Sequence, residues 1–468
     1  LHKQTNNQAN AVKILILGGG QVGANVAENL LSENNDITVV DQNAARLKQL
    51  QDRLDIRTVA GNAAHPQVLA DAGAADSDMV LALTRDDETN LVACKMAEAC
   101  FNIPTRIARI RSSDYLESEH GDPLAHFGIE SAICPEQIVT DHIYQLFAYP
   151  GALQVLDFAD GKLQLVVSRA HSGGKLLGMP LRHIREHMPD ADCRVCAVHR
   201  RDTLLVPDGD TVLEEGDEVF FVAAREHVQA MLKELRFSER PLRRIMIAGG
   251  GNIGYRLAKL LENDFSVKVI EARPERAQWL AERLEHALVL RGEATDEELL
   301  DAENVDEMDV FCALTNDDED NIMSTLLAKR MGARRVVALV NRTSYVDLLE
   351  GHRIDIVISP HLSTIGSILA HIRQGDVEAV HPLRRGASEA MEVIIHGDAQ
   401  QSRLTGRRIE QIDMPHGSHI VAAIRGEQVL MAHHDLTVEN GDHLIIFLSR
   451  RRVIRQVEKL IQVKLGFL

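Results

Sequence analysis

Two short glycine runs have the residue types and spacing to hold a phosphate. Gly18-Gly19-Gly20-Gln21-Val22-Gly23 and Gly249-Gly250-Gly251-Asn252-Ile253-Gly254 each follow an apolar strand-like run and open an amphipathic helical pattern. In that setting the first glycine allows a tight turn, the second lets a pyrophosphate approach the backbone, and the third lets helix and strand pack closely. Free N–H groups and the positive end of the helix then face the phosphates. A bland reading, in which the glycines only make a turn, is weakened by an acid that ends the next strand in both copies: Asp41, 23 residues after Gly18, and Glu271, 22 after Gly249. A carboxylate there accepts from ribose hydroxyls and repels a 2′-phosphate, which favours NAD or an adenine mononucleotide over NADP. Valine at Gly20 or Gly23 is expected to obstruct the pyrophosphate.

A second pair of segments, Thr84-Arg85-Asp86-Asp87-Glu88-Thr89-Asn90 and Thr315-Asn316-Asp317-Asp318-Glu319-Asp320-Asn321, ends the fourth strand of each half and starts a helix. That strand lies across the point where strand order reverses, so Thr84 and Thr315 are expected to face the ligand. Three adjacent acids could suggest a metal, but at a helix start they read better as caps and dipole partners. No metal site is expected. Cys193-Arg-Val-Cys196 lies in a strand-like run, where residues three apart point to opposite faces, so redox or metal pairing is not expected. His433-His434 has no partners at metal spacing.

The elements that must position these residues occur twice. A shift of 231 residues carries Gly18 onto Gly249, Gly61 onto Gly292 and Thr84 onto Thr315, and Asp41 meets Glu271 at a shift of 230. Four landmarks in one order mark an internal duplication. Within each half, near-continuous apolar runs alternate with amphipathic helices, the pattern of a parallel sheet covered on both faces. A helical connector and a set of shorter strands follow, with a Glu-x-Gly-Asp turn at Glu214–Asp217 and again at Glu439–Asp442. The expected class is α/β: two Rossmann-like doubly wound parallel sheets, each followed by a small α+β domain. The expected boundaries are a tail at 1–11, Rossmann units at 12–134 and 243–361, connectors at 135–153 and 362–380, and small domains at 154–238 and 381–464.

Composition narrows the partners. A net charge of −18 over 468 residues argues against nucleic acid, whose binders neutralise phosphates with basic stripes. No apolar run approaches the roughly 18–20 residues that cross a bilayer, and the polar first eleven residues lack a secretory apolar core. Six cysteines in mostly apolar surroundings read as core residues of a reducing compartment.

Two copies of strand–GGGxxG–helix, each with its acid, its T-x-D-D-E-x-N and a small β-rich tail, resemble the regulators of Trk-type potassium uptake, built from tandem RCK domains (regulators of potassium conductance). The likeness runs from Val12 over nearly the whole chain. It implies a non-enzymatic subunit on the cytosolic face of the inner membrane, bound to an integral-membrane potassium channel or transporter of the Trk type. It further implies a homo-oligomeric gating ring, expected to be a tetramer, and Rossmann units that bind NAD(H), with ATP or ADP in some members. Carried over by position, the nucleotide contacts fall on Gly18–Gly23, Asp41, Thr84, Arg85 and Arg109, and on Gly249–Gly254, Glu271 and Thr315. Leu339 stands where the first copy has Arg109, so the two sites are expected to differ. An NAD-dependent oxidoreductase is the rival reading. It would need an acid/base set that the small domains do not display. A third reading is an oligomerising scaffold whose nucleotide sites no longer bind.

Overall fold

Apolar runs such as Ile14–Leu17 become strands buried on both sides, because helices cover each face of the sheet they enter. The computed structural model describes residues 12–31, 35–116, 121–189, 191–201, 203–236, 240–349, 354–373, 376–383 and 388–462. The expected tail at 1–11 and the expected domain ends at 238 and 464 lie outside them. The chain divides into two compact units, Leu1–Glu136 and Gln137–Leu468.

The first unit holds one parallel sheet: β1 (Lys13–Leu17), β2 (Asp36–Asp41), β3 (Arg57–Ala60), β4 (Met79–Ala82), β5 (Thr105–Arg109) and β6 (Ser131–Ile133). Their spatial order is β3-β2-β1-β4-β5-β6. Strand order therefore reverses between β1 and β4, which are direct neighbours. A crevice at the carboxyl ends of these two strands is where such sheets take their ligands.

The second unit carries three sheets. Antiparallel strands β7 (Ala152–Phe158), β8 (Leu163–Arg169), β9 (Cys193–Arg200), β10 (Thr203–Leu205) and β11 (Glu218–Ala224) come first, ordered β10-β9-β11-β8-β7. A second parallel sheet follows, of β12 (Arg244–Ala248), β13 (Ser266–Glu271), β14 (Leu288–Arg291), β15 (Val310–Ala313), β16 (Arg335–Leu339) and β17 (Ile356–Ile358), ordered β14-β13-β12-β15-β16-β17. The last sheet has β18 (Val377–Pro382), β19 (Glu389–Ile394), β20 (Ser418–Arg425), β21 (Gln428–Met431) and β22 (His443–Leu448), ordered β18-β19-β22-β20-β21. Read from the opposite edge, this repeats the order of the first antiparallel sheet. The duplication thus extends through the small domains.

Strands β7 and β18 begin inside the segments expected to be connectors. The helix Pro135–Ala148 stops at Tyr149-Pro150-Gly151, where Gly151 has φ +98°, and Ala152 starts the strand. Five consecutive buried residues open β7, so no apolar–polar alternation announces a strand there. The Glu-x-Gly-Asp turns are arginine clamps. Asp217 accepts two hydrogen bonds from Arg200, at 2.8 and 2.6 Å, and Asp442 accepts the same pair from Arg425, both at 2.8 Å. Cys193 and Cys196 are free thiols, and burial pushes them up to about 11 and about 12, so neither is a ready thiolate.

Glu262 closes the helix Asn252–Leu261 and accepts the N–H groups of Glu285, His286 and Ala287 at 2.8–3.2 Å. Burial works to raise its pKa, but these amides and Lys259 prevail and hold it at about 2, below the ordinary 4.5. A depressed carboxylate stabilises the fold above its unfolded value and loses that contribution as pH falls through the folded one. We expect wild type to exceed Glu262→Gln by about 3 kcal/mol near neutral pH. In urea denaturation the gap should shrink by more than half between pH about 5 and about 3, as linkage requires.

Candidate functional site

Each glycine turn is shaped by a neighbouring strand end. Gly18 has φ +109°, and a Cβ there would meet the backbone of Leu83 and Thr84 at 2.9 Å; Gly249 repeats this with φ +104° against Leu314 and Thr315. Only glycine fits both constraints. Gly20 and Gly251 are the opposite case, since a Cβ at either would have nothing within 4 Å. That open side is where a ligand can reach the backbone. Gly251 precedes the helix Asn252–Leu261 with no side-chain cap, so the first N–H groups of that helix have no side-chain acceptor there. Gln21 and Val22, like Asn252 and Ile253, are the first two residues of their helices.

The carboxylates sit beside these turns and hold them. Asp41 accepts from the Gly19 N–H at 2.7 Å through Oδ2, and its Oδ1 accepts from the Asn43 N–H at 2.8 Å. Glu271 accepts from the Gly250 N–H at 3.0 Å and from the Arg273 N–H and Nε at 3.0 and 2.9 Å. Burial opposes its ionisation, yet the Arg273 guanidinium and these amides hold Glu271 below the usual carboxylate range. A carboxylate offers about four lone-pair sites. Glu271 keeps one for a ribose hydroxyl, whereas at Asp41 a hydroxyl would compete with Arg46, which donates at 3.2 and 3.4 Å. Gly19 and Gly250 thus direct their N–H groups to the acids rather than into the cleft.

The first cleft encloses about 690 Å³ and is lined by Gly18, Gly20, Asp41, Arg46, Thr84, Arg85 and Asp86 among others. The second encloses about 440 Å³, with Gly249, Gly251, Glu271, Arg273 and Thr315 in the corresponding places. Arg109 is not brought into the first cleft: its guanidinium donates to Glu136 at 3.0 Å, and Arg111 donates to the same oxygen at 3.1 Å. A carboxylate in the first turn of the helix Pro135–Ala148, which follows β6, competes for it. Where the second copy has Leu339 for Arg109, it also has His361 for Glu136. The loss of one charge is matched by the loss of its partner.

Thr84 and Thr315 reach their clefts, but their hydroxyls and N–H groups both donate to the side-chain oxygen of Asn90 or Asn321, at 2.7–3.0 Å. The asparagines are fully buried, and their amides donate to the carbonyls of Arg109 and Leu339 at 2.8 Å. The motif therefore ties the fourth strand end to the fifth. Its acids act as caps: Asp86 accepts from the Thr89 N–H and Asp317 from the Asp320 N–H. Asp87 accepts from the N–H groups of Arg111 and Ser112, and Asp318 from those of Asn341 and Arg342. Asn321→Ala should cost about 2–3 kcal/mol, because it strands a buried N–H and carbonyl. A guanidinium melt of the full chain measures it.

Arg46 and Arg276, five residues after their acids, escaped the sequence reading. Arg46 pairs with Asp41 at 3.2 Å, whereas Arg276 donates to the Gly250 carbonyl at 2.7 Å and stacks over Trp279 at 3.9 Å. Their common offset was visible, but a charged residue on a helix usually faces solvent, and only folding decides otherwise.

Comparison with known proteins fits this geometry. The TrkA-N domain model matches residues 14–135 and 245–360, and the TrkA-C domain model matches residues 165–236. The Trk system potassium uptake protein TrkA of Halomonas elongata is 53% identical, covering 97% of this chain and 100% of its own length. That of Vibrio alginolyticus is 51% identical over 98% of this chain and 100% of its own. Among solved structures, the GsuK RCK domain has a TM-score of 0.60 at 21% identity, covering 97% of this chain and 96% of its own. The GsuK channel bound to NAD has the same score and identity, over 97% of this chain and 80% of its own. At that identity the likeness speaks for the fold.

Proposed function

Because this chain belongs to the TrkA family of Trk potassium uptake proteins, we propose that it is a regulatory subunit that binds NAD(H), or ATP and ADP, and gates a membrane potassium channel or transporter. One observation carries the reading: an unobstructed glycine turn beside a carboxylate, at the reversal of strand order, is built twice. The ligand contacts we assign are Gly18, Gly20, Asp41, Arg46, Thr84 and Arg85 in the first cleft. In the second they are Gly249, Gly251, Glu271, Arg273 and Thr315. The GsuK channel bound to NAD, a structural neighbour, supports the choice of nucleotide.

The subunit acts by shifting a population rather than by chemistry. Among the described residues lining the two clefts there is no His, Cys, Lys or Tyr to move a proton beside a nicotinamide. No helix among the described residues is long and apolar enough to cross a membrane; in this reading the family's potassium uptake system supplies the pore as a partner. We propose a homo-oligomeric ring, a tetramer, on the cytosolic face of that partner. Nucleotide changes the balance between two ring states only through its different affinity for each. A coupling of about 1–3 kcal/mol per site is typical. Equilibrium dialysis against NADH and ATP, followed by potassium flux with the membrane subunit reconstituted, tests the reading. Saturable binding and nucleotide-dependent flux are expected, and an absence of saturable binding by either ligand would favour a scaffold.

A further inference from the structure

We propose that the two clefts sort nucleotides by charge, the first admitting both nucleoside polyphosphates and dinucleotides, the second only dinucleotides. The inference rests on the nucleotide-binding reading above and adds a ligand class to each site. Both clefts share one backbone frame, since Gly20 and Gly251 are equally open. Their charged linings differ. Among the described residues, the first cleft sets Arg46 and Arg85 against Asp41 and Asp86. The second sets Arg273 alone against Glu271, Glu293, Asp317 and Asp320.

The difference arises residue by residue. Asn316 replaces Arg85, Asp320 replaces Thr89, and Glu293 stands where the first half has Asn62. Arg276, the counterpart of Arg46, does not line its cleft. Its Nε donates to the Gly250 carbonyl at 2.7 Å and a terminal nitrogen donates to that of Gly251 at 3.3 Å, with the guanidinium against Trp279. Arg273 does line the cleft, but its Nε is engaged by Glu271 at 2.9 Å.

The phosphates of a dinucleotide are both internal, one charge each, and the turn amides can hold them without further cations. A nucleoside triphosphate ends in a phosphate of charge about −1.5 to −2. In the first cleft that group would enter a space lined by Arg85 and by Arg46, the latter paired with Asp41 at 3.2 Å. In the second it meets an excess of carboxylates in a confined space, where like charges disfavour the wrong ligand strongly.

The test uses the full chain with NADH and ATP as probes in equilibrium dialysis. Wild type should bind two NADH and one ATP. Gly251→Val should keep one of each, and Gly20→Val should keep one NADH and bind ATP at least about tenfold more weakly than Gly251→Val does. Trp279 is the only tryptophan in the sequence and contacts the second turn through Arg276, so its emission reports that cleft. It should respond to NADH in Gly20→Val and stay unchanged when ATP is added to wild type. Adding Asn316→Arg and Asp320→Thr to Gly20→Val should restore ATP binding by about tenfold or more, since two charges are changed. Equal ATP affinity in the two single-glycine variants, or no gain from the charge exchange, would overturn the sorting while leaving nucleotide binding intact. Failure of NADH to bind either cleft would overturn both.

Discussion

Valine at Gly20 should remove nucleotide from the first cleft without unfolding the protein, whereas valine at Gly23 should prevent the first Rossmann unit from folding. A Cβ at Gly20 has no neighbour within 4 Å, so the added methyl groups project into the space reserved for phosphate. A Cβ at Gly23 would lie 1.9 Å from the Gly18 carbonyl oxygen. That oxygen belongs to a turn held between two strands and cannot retreat, so helix and strand would have to separate. Loss of at least about a hundredfold in NADH affinity at the first cleft, or about 2.7 kcal/mol, is expected for Gly20→Val, with an unchanged urea midpoint. For Gly23→Val the destabilisation should exceed about 4 kcal/mol, the range of forced overpacking and broken backbone geometry. Gly254 repeats the 1.9 Å approach, against Gly249, and should behave like Gly23. A folded Gly23→Val that merely loses ligand would contradict this division. The sequence alone treats the two glycines as equivalent obstacles, and the structure separates them.

Glu389→Ala should be the most damaging single change in the last small domain. Arg373, just past the helix Pro360–Ile372, donates to both carboxylate oxygens of Glu389 at 3.1 and 3.2 Å, and both side chains are almost wholly buried, at 2% and 1% exposure. Removing the acid takes two hydrogen bonds and a counter-charge from a buried guanidinium, at a cost of about 3–5 kcal/mol. Replacing both residues, as Arg373→Met with Glu389→Leu, should recover most of that loss, because a well-packed apolar pair avoids the desolvation of two ions. Urea denaturation of the single and double variants gives the comparison. A single variant as stable as wild type would show that the pair is hydrated or that Arg373 is neutralised by another group.

Much of this architecture is legible in the chain because its signals are local. Glycine is required where φ is positive, so Gly18 and Gly249 announce their turns. The acids Asp41 and Glu271 follow at the distance that one helix and one strand impose. Caps are equally local: Asp86 and Asp317 stand directly before the helices they close. Strand β7 was less legible, since burial on both faces removes the alternation that identifies a strand.

What could not be read is the destination of long charged side chains. Arg109 ends β5 and Arg46 lies on the helix Ala44–Gln51 that follows β2, yet the first is drawn to Glu136 and the second to Asp41. Arg276 turns from a cleft that its position would suit, because two carbonyls and an indole compete for it. Residue order determined the duplicated fold, the two phosphate turns and the acids beside them, for these depend on backbone geometry over short spans. Tertiary structure alone decided which arginines face each cleft, since a guanidinium reaches several partners and pairs with those that distant segments bring within range.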